Sequence, residues 1–152
     1  MNHIEGTKTV AKVSVAVAAN ATHSHEIDTL GADYVSIDVV YSAFTAATTS
    51  YASVLKVRES DASGSGQADV SGYTITAGAG ATTGSTGAVA RFNVDMRGRK
   101  RYLTVVTTPG NAATIATVAR LSKLEDMPIS AAAMGVNDVV PVATINKQFQ
   151  TY

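Results

Sequence analysis

Period-two alternation of apolar and polar positions dominates the chain, and that period is the signature of strands. Between residues 9 and 18, Ala11, Val13, Val15 and Val17 fall on one face, with Lys12, Ser14 and Ala16 on the other. Residues 29–33 read as a turn. After it Val35, Ile37, Val39 and Tyr41 point inward and Tyr34, Ser36 and Asp38 outward, the clearest strand in the sequence. Residues 53–59 make another, with Leu55 and Val57 opposite Lys56 and Arg58. Residues 60–67 are a loop by composition, and 73–76 a short strand. Residues 77–87, built only of Ala, Gly, Thr and Ser, are a low-complexity surface loop. Ala88, Ala90, Phe92, Val94 and Met96 then alternate with Val89, Arg91, Asn93 and Asp95. Leu103 and Val105 oppose Tyr102, Thr104 and Val106, and residues 114–121 form a last strand. With turns at 97–100 and at Pro109 and Gly110, the stretch 88–121 reads as a three-stranded meander. Residues 121–127 have room for one helical turn before Pro128.

About eight short strands and no long helical pattern predict an all-β fold, an antiparallel β-sandwich of jelly-roll type. The expected organisation is a sandwich domain at residues 9–128 between two extended arms, 1–8 and 129–152. The C-terminal stretch, with its Ala triplet, Pro141 and polar end, looks like an arm that grips a neighbour and becomes ordered on contact.

Composition narrows the function. A chain of 152 residues is one domain's worth and long enough to bury a core without staples. It contains no Cys, which excludes a disulfide scaffold, a thiolate zinc site and a thiol nucleophile. Twelve Lys and Arg balance twelve Asp and Glu, so the chain is not built as a global polyanion binder. Charged residues make up 16%, and Ala, Val and Thr dominate, which suits a protein that lies against other protein. No run reaches the roughly 18 apolar residues of a membrane helix, and no membrane association is expected. Lys8 and Lys12 before a short apolar run imitate a signal peptide, but Glu5 and Ser14 break the pattern and a strand explains it better.

Candidate chemistry is sparse. His23 and His25, i and i+2 on a strand, share a face and would both reach one metal ion if a third ligand such as His3 joined them. The plain alternative is an exposed polar strand start. Glu59, Asp61, Ser63 and Asp69 are rich in oxygen but lack the calcium-loop spacing. Arg97, Arg99, Lys100 and Arg101 put four cations in five residues. They read as a soluble hairpin tip or as a contact with a partner's carboxylates. Without interleaved aromatics, nucleic-acid binding is not expected. No nucleophile elbow, phosphate loop or ordered triad is present, so the expectation is no enzyme, no cofactor and no metal.

The segment 53–61, the segment from Arg91 through Asp95, Met96, Arg97, Gly98, Arg99, Lys100, Arg101 and Tyr102 to Leu103, the turn Thr108, Pro109, Gly110, and the stretch 119–123 together resemble small structural proteins of tailed phages. These are the head decoration, or cement, proteins, and the likeness covers roughly residues 33–128. The resemblance implies a subunit made in the bacterial host cytoplasm that sits on the outer surface of the capsid in the virion. It implies bridging of neighbouring major capsid subunits, self-association as a homotrimer, and no catalysis. Interface residues are then expected in the N-terminal arm (Met1, Asn2, His3, Ile4), the basic segment (Arg97, Arg99, Lys100, Arg101) and the C-terminal arm (Val140, Phe149, Tyr152). A head fibre, tail or baseplate component, and a surface carbohydrate-binding module, are the alternatives.

Overall fold

A computed structural model describes residues 7–42, 52, 54–75 and 87–124. They form eight strands: β1 (Thr7–Val17), β2 (His23–Asp28), β3 (Ala32–Tyr41), β4 (Val54–Ser60), β5 (Ala68–Ile75), β6 (Ala88–Asp95), β7 (Tyr102–Thr108) and β8 (Ala113–Leu124). Two antiparallel four-stranded sheets result, ordered β1-β8-β3-β6 and β2-β7-β4-β5. Every connection crosses from one sheet to the other except the β4–β5 hairpin. This is the strand order of an eight-stranded jelly roll, and the all-β expectation holds.

The inward faces follow the alternation. Ile37, Val35 and Val39 of β3 face Leu103 and Val105 of β7, Leu55 and Val57 of β4 and Ile27 of β2, and none of these side chains is more than marginally exposed. The meander expected over 88–121 is absent. β6 pairs with β3, β7 with β2 and β4, and β8 with β1 and β3. Alternation is the same whichever sheet a strand joins, so period two identifies strands but not their partners. The presumed hairpin tip at 97–100 is thus part of a crossover between sheets. Its turn is closed by Arg99 N–H donating to Met96 O at 2.9 Å. Gly98 at φ 78° supplies the left-handed third position that a type II turn requires.

Three further details depart from the sequence pattern. A β-bulge between Lys12 and Val15 sets two residues opposite Ala116, so Val13 turns outward while Val10, Val15 and Val17 face the core. β8 continues as strand to Leu124, where a helical turn was expected. β5 begins at Ala68, and Thr7 and Lys8 belong to β1 rather than to an arm. The loop at 77–86 and the arms beyond residues 7 and 124 lie outside the described residues.

The end of β6 is tightly fitted. A methyl group on Gly87 would lie 2.3 Å from the Tyr41 carbonyl oxygen, far inside contact distance. Gly87→Ala is therefore expected to push β6 from β3 at this end and to cost about 1–3 kcal/mol, the usual range for overpacking. Urea unfolding monitored by circular dichroism measures it.

Candidate functional site

The connections sort the sandwich into two unlike ends. At one end lie 29–31, 61–67 and 96–101, with the start of β1 and the end of β8. At the other end lie 18–22 and 109–112, with the ends of β3 and β5 and the starts of β4 and β6.

The first end is an ion-paired lattice. Asp95 accepts the Arg97 backbone N–H at 3.0 Å as well as its guanidinium. Those hydrogen bonds hold the Asp95 carboxyl at about 2 and raise the arginine. Arg99 pairs with Glu59 at 3.5 Å, and Lys100 Nζ donates to Asp61 at 2.7 Å. Arg101 forks onto Asp28 at 2.8 and 2.7 Å, and its hydrogen bonds depress that carboxyl. Thr29 donates both its N–H and its hydroxyl to the Arg101 carbonyl, tying the β2–β3 turn to the crossover. Each of the four cations expected at an interface is thus matched by a carboxylate of this chain, drawn from β2, β4, β6 and the loop after β4. Their collective charge is neutralised in place, and the segment caps the sandwich.

Other carboxylates are equally committed. Glu26 accepts Ser63 Oγ at 2.6 Å and Gly64 N–H at 2.8 Å, so the loop after β4 folds over the outer face of its own sheet. Arg58 donates to the Gln67 carbonyl at 2.7 Å, and Lys56 to Asp69 at 2.7 Å. The carboxylates of Glu59, Asp61 and Asp69 are each paired with a cation of this chain.

His23 and His25 are not an exposed strand start. Both point between the sheets and are buried, His25 being only 8% exposed. Alternation with Ile27 put them there. His23 Nε2 lies 3.4 Å from Thr117 Oγ1, and beside it Tyr41 Oη and Thr107 Oγ1 share a hydrogen at 2.7 Å. Burial, with the nearby Lys12 charge, lowers both imidazoles, His25 to about 4. Among the described residues no third ligating side chain joins them.

The outer face of the β1-β8-β3-β6 sheet carries what the sequence did not show. Asp38 is clasped by the forked guanidinium of Arg91 and approached by Arg120 at 3.6 Å. One row further toward the second end, Val40 pairs with Val89 on one side and Ala116 on the other, and Val13 sits at the bulge opposite Ala116. Val13, Val40 and Val89 are 60%, 37% and 65% exposed. The alternation had placed Val89 outward, but nothing in it signalled that the bulge would add Val13. A shallow hollow of about 350 Å³ opens at the other end of this face, beside Tyr34, Tyr73, Asn93 and Asp95. Arg97 and Lys123 stack on Tyr34, and Tyr73 Oη donates to the Asn93 carbonyl, so both aromatic rings are engaged. Of the residues expected at an interface, Met1, Asn2, His3, Ile4, Val140, Phe149 and Tyr152 lie outside the described residues.

No protein-family model and no curated protein matches the chain. Solved structures with a related outline include the chitosan-binding module 1 of a Paenibacillus sp. IK-5 chitosanase/glucanase (15% identity, 79% of this chain and 98% of that one, TM-score 0.40). The major capsid protein of the virus STIV is similar at 13% identity over 76% of this chain, with TM-score 0.40, and this chain spans about half of its length (47%). A cowpea mosaic virus empty particle gives 9% identity, 96% and 95% coverage and TM-score 0.42. Virus capsid proteins and a carbohydrate-binding module thus stand side by side among the neighbours, and the jelly-roll assignment rests on the strand order itself.

Proposed function

We propose that the protein is a structural virion component, a head decoration protein that binds the outside of a phage capsid and bridges neighbouring major capsid subunits as a homotrimer. The observation that carries this reading is where the phage-like residues fall. The stretch from Arg91 to Leu103 runs from β6 through the crossover into β7, and the crossover's cations pair with carboxylates of β2, β4, β6 and the loop after β4. These residues build the framework, so the resemblance there supports a shared architecture rather than a borrowed surface motif. The role fits a charge-balanced jelly roll whose two chain ends leave side by side, at the start of β1 and the end of β8. On this reading the residues before β1 and after β8 contact capsid subunits, and many equivalent copies on a shell supply avidity. The mechanism is added interface, without catalysis, cofactor or metal.

Cosedimentation with shells assembled from the major capsid protein of the same phage tests the reading. The expected result is saturable binding and a higher melting temperature of the shell. Deleting residues 1–6 or 129–152 is expected to weaken binding and leave the thermal unfolding of the sandwich in place. Failure to sediment with either unexpanded or expanded shells overturns it. Retention on a glycan array in that case favours the carbohydrate-binding alternative.

A further inference from the structure

The ion-paired end has an opposite that, among the described residues, carries no Asp, Glu, Lys or Arg. None of the connections 18–22, 42–53, 76–87 and 109–112 contains Asp, Glu, Lys or Arg. Neither do the adjoining strand segments 13–17, 54–55, 74–75, 87–90 and 106–117, and Lys12 and Lys56 mark the border. His23, which also lies there, is buried, and burial favours its neutral form. The row Val13, Ala116, Val40 and Val89 crosses all four strands of the outer sheet face within this half, a span of about 14 Å at the usual strand spacing. An open hollow of about 550 Å³ lined by Ala16, Ala18, Ala112 and Thr114 continues it toward the tip. The outer face of the other sheet is unlike it: Glu26, Lys56, Arg58 and Asp69 stud it, and the protein's own loop lies over it.

From this axial separation of charge we infer that the Val13–Val40–Val89 face is where copies of this chain meet one another. This deepens the reading above, resting on its premise that copies gather around a symmetry axis. The charge distribution selects the occupant. Contact between identical copies near a rotation axis brings each group close to its own counterparts, so any net charge there repels itself. A different partner, by contrast, can supply the opposite charge. The half of the sandwich that, among the described residues, carries exposed β-branched side chains and no charge of either sign is the half that meets the first condition. The charged end and the chain ends beside it are left for the capsid.

The chain has no cysteine, so single introduced thiols report proximity without background. Light scattering after size exclusion is expected to give an oligomer whose mass is unchanged between 0.05 and about 1 M NaCl, because apolar contacts are not screened. Val89→Glu is expected to weaken self-association at least about 100-fold by burying like charges, with the thermal midpoint of the domain retained. Val89→Cys is expected to form inter-chain disulfides on mild oxidation, and Thr74→Cys, on the opposite outer face, is not. If Val89→Glu loses its folded signal, the cysteine pair still decides the matter. A monomer at millimolar concentration, an oligomer indifferent to Val89→Glu, or equal cross-linking of the two cysteine variants overturns the inference. All of this is read without shells. Shell binding by a monomer therefore defeats this inference alone, and an oligomer through this face that ignores shells defeats the decoration reading alone.

Discussion

Acidifying the protein from pH 7 to pH 4 will cost it about 3 kcal/mol through His25 alone, from the drop of its imidazole from 6.5 to about 4 at roughly 1.4 kcal/mol per pH unit. Between those values the unfolded chain binds a proton on this imidazole and the folded chain does not. Stability therefore rises with pH through the window and falls on acidification. The contribution is complete above pH 6.5 and fully lost near pH 4. His23, lowered by the same burial, acts in the same direction. Among the described residues, the groups that face the pair are Lys12 from β1, Tyr41 from β3, Thr107 from β7 and Thr117 from β8, and no carboxylate among them rescues the protonated form. The depressed carboxyls Asp28, Asp38, Asp69 and Asp95 work the other way round. Their stabilisation is present above their ordinary range and is lost only as pH falls below about 4. The two families are thus separable along the pH axis. Calorimetric scans are expected to show the midpoint falling by about 10 °C between pH 6.5 and 4 in the wild type, at a few degrees per kcal/mol for a domain of this size. In His25→Leu that slope flattens while the loss below pH 4 persists. A wild-type midpoint that stays level down to pH 4.5 contradicts the buried neutral pair.

The histidines also show how far alternation alone can be read. His23, His25 and Ile27 alternate with Ser24, Glu26 and Asp28, and the structure obeys that pattern, so their burial was legible from Ile27 outward. The polarity of each imidazole hides that placement when residues are taken singly, and the face they share with Ile27 reveals it. The strands around Ile37, Leu55, Phe92 and Leu103 were legible for the same reason, and with them the all-β class. Strand partners were not, since β6, β7 and β8 alternate identically whether they join one sheet or two. The β1 bulge was not legible either: one extra residue flips every position beyond it, and the run Val13, Ser14, Val15 alternates smoothly through the flip. The basic segment posed a different problem. Its four cations are contiguous, but the carboxylates that bind Arg99, Lys100 and Arg101 come from residues 59, 61 and 28. Charge counted along the chain therefore shows a run of cations but not the carboxylates that balance it in the fold.

Neighbouring strands of the β1-β8-β3-β6 sheet allow core and contact to be told apart by substitution. Ile37 is fully buried at the centre of β3, opposite Phe92 on β6 and Ala119 on β8. Ile37→Ala removes three carbons from a layer flanked by Val105 and Leu55 and leaves a cavity, with an expected cost of about 3–4 kcal/mol, within the usual span for Ile-to-Ala. That is a large share of the roughly 5–15 kcal/mol that holds a domain together. Val89 stands on the same sheet, pointing the opposite way. Val89→Thr keeps the shape and the β-branch, and at an exposed position is expected to change stability by less than about 0.5 kcal/mol. Equilibrium unfolding in urea measures both, with the slope of the transition unchanged. A fold that needs Ile37 but is indifferent to Val89 retains its exposed valines for something other than its own stability. Where the Val89→Thr protein also loses self-association in light scattering, the apolar row is energetically accounted for by the neighbour it meets. If Val89→Thr instead unfolds the domain as Ile37→Ala does, the row belongs to the core, and the charge-free end has no claim as a contact surface.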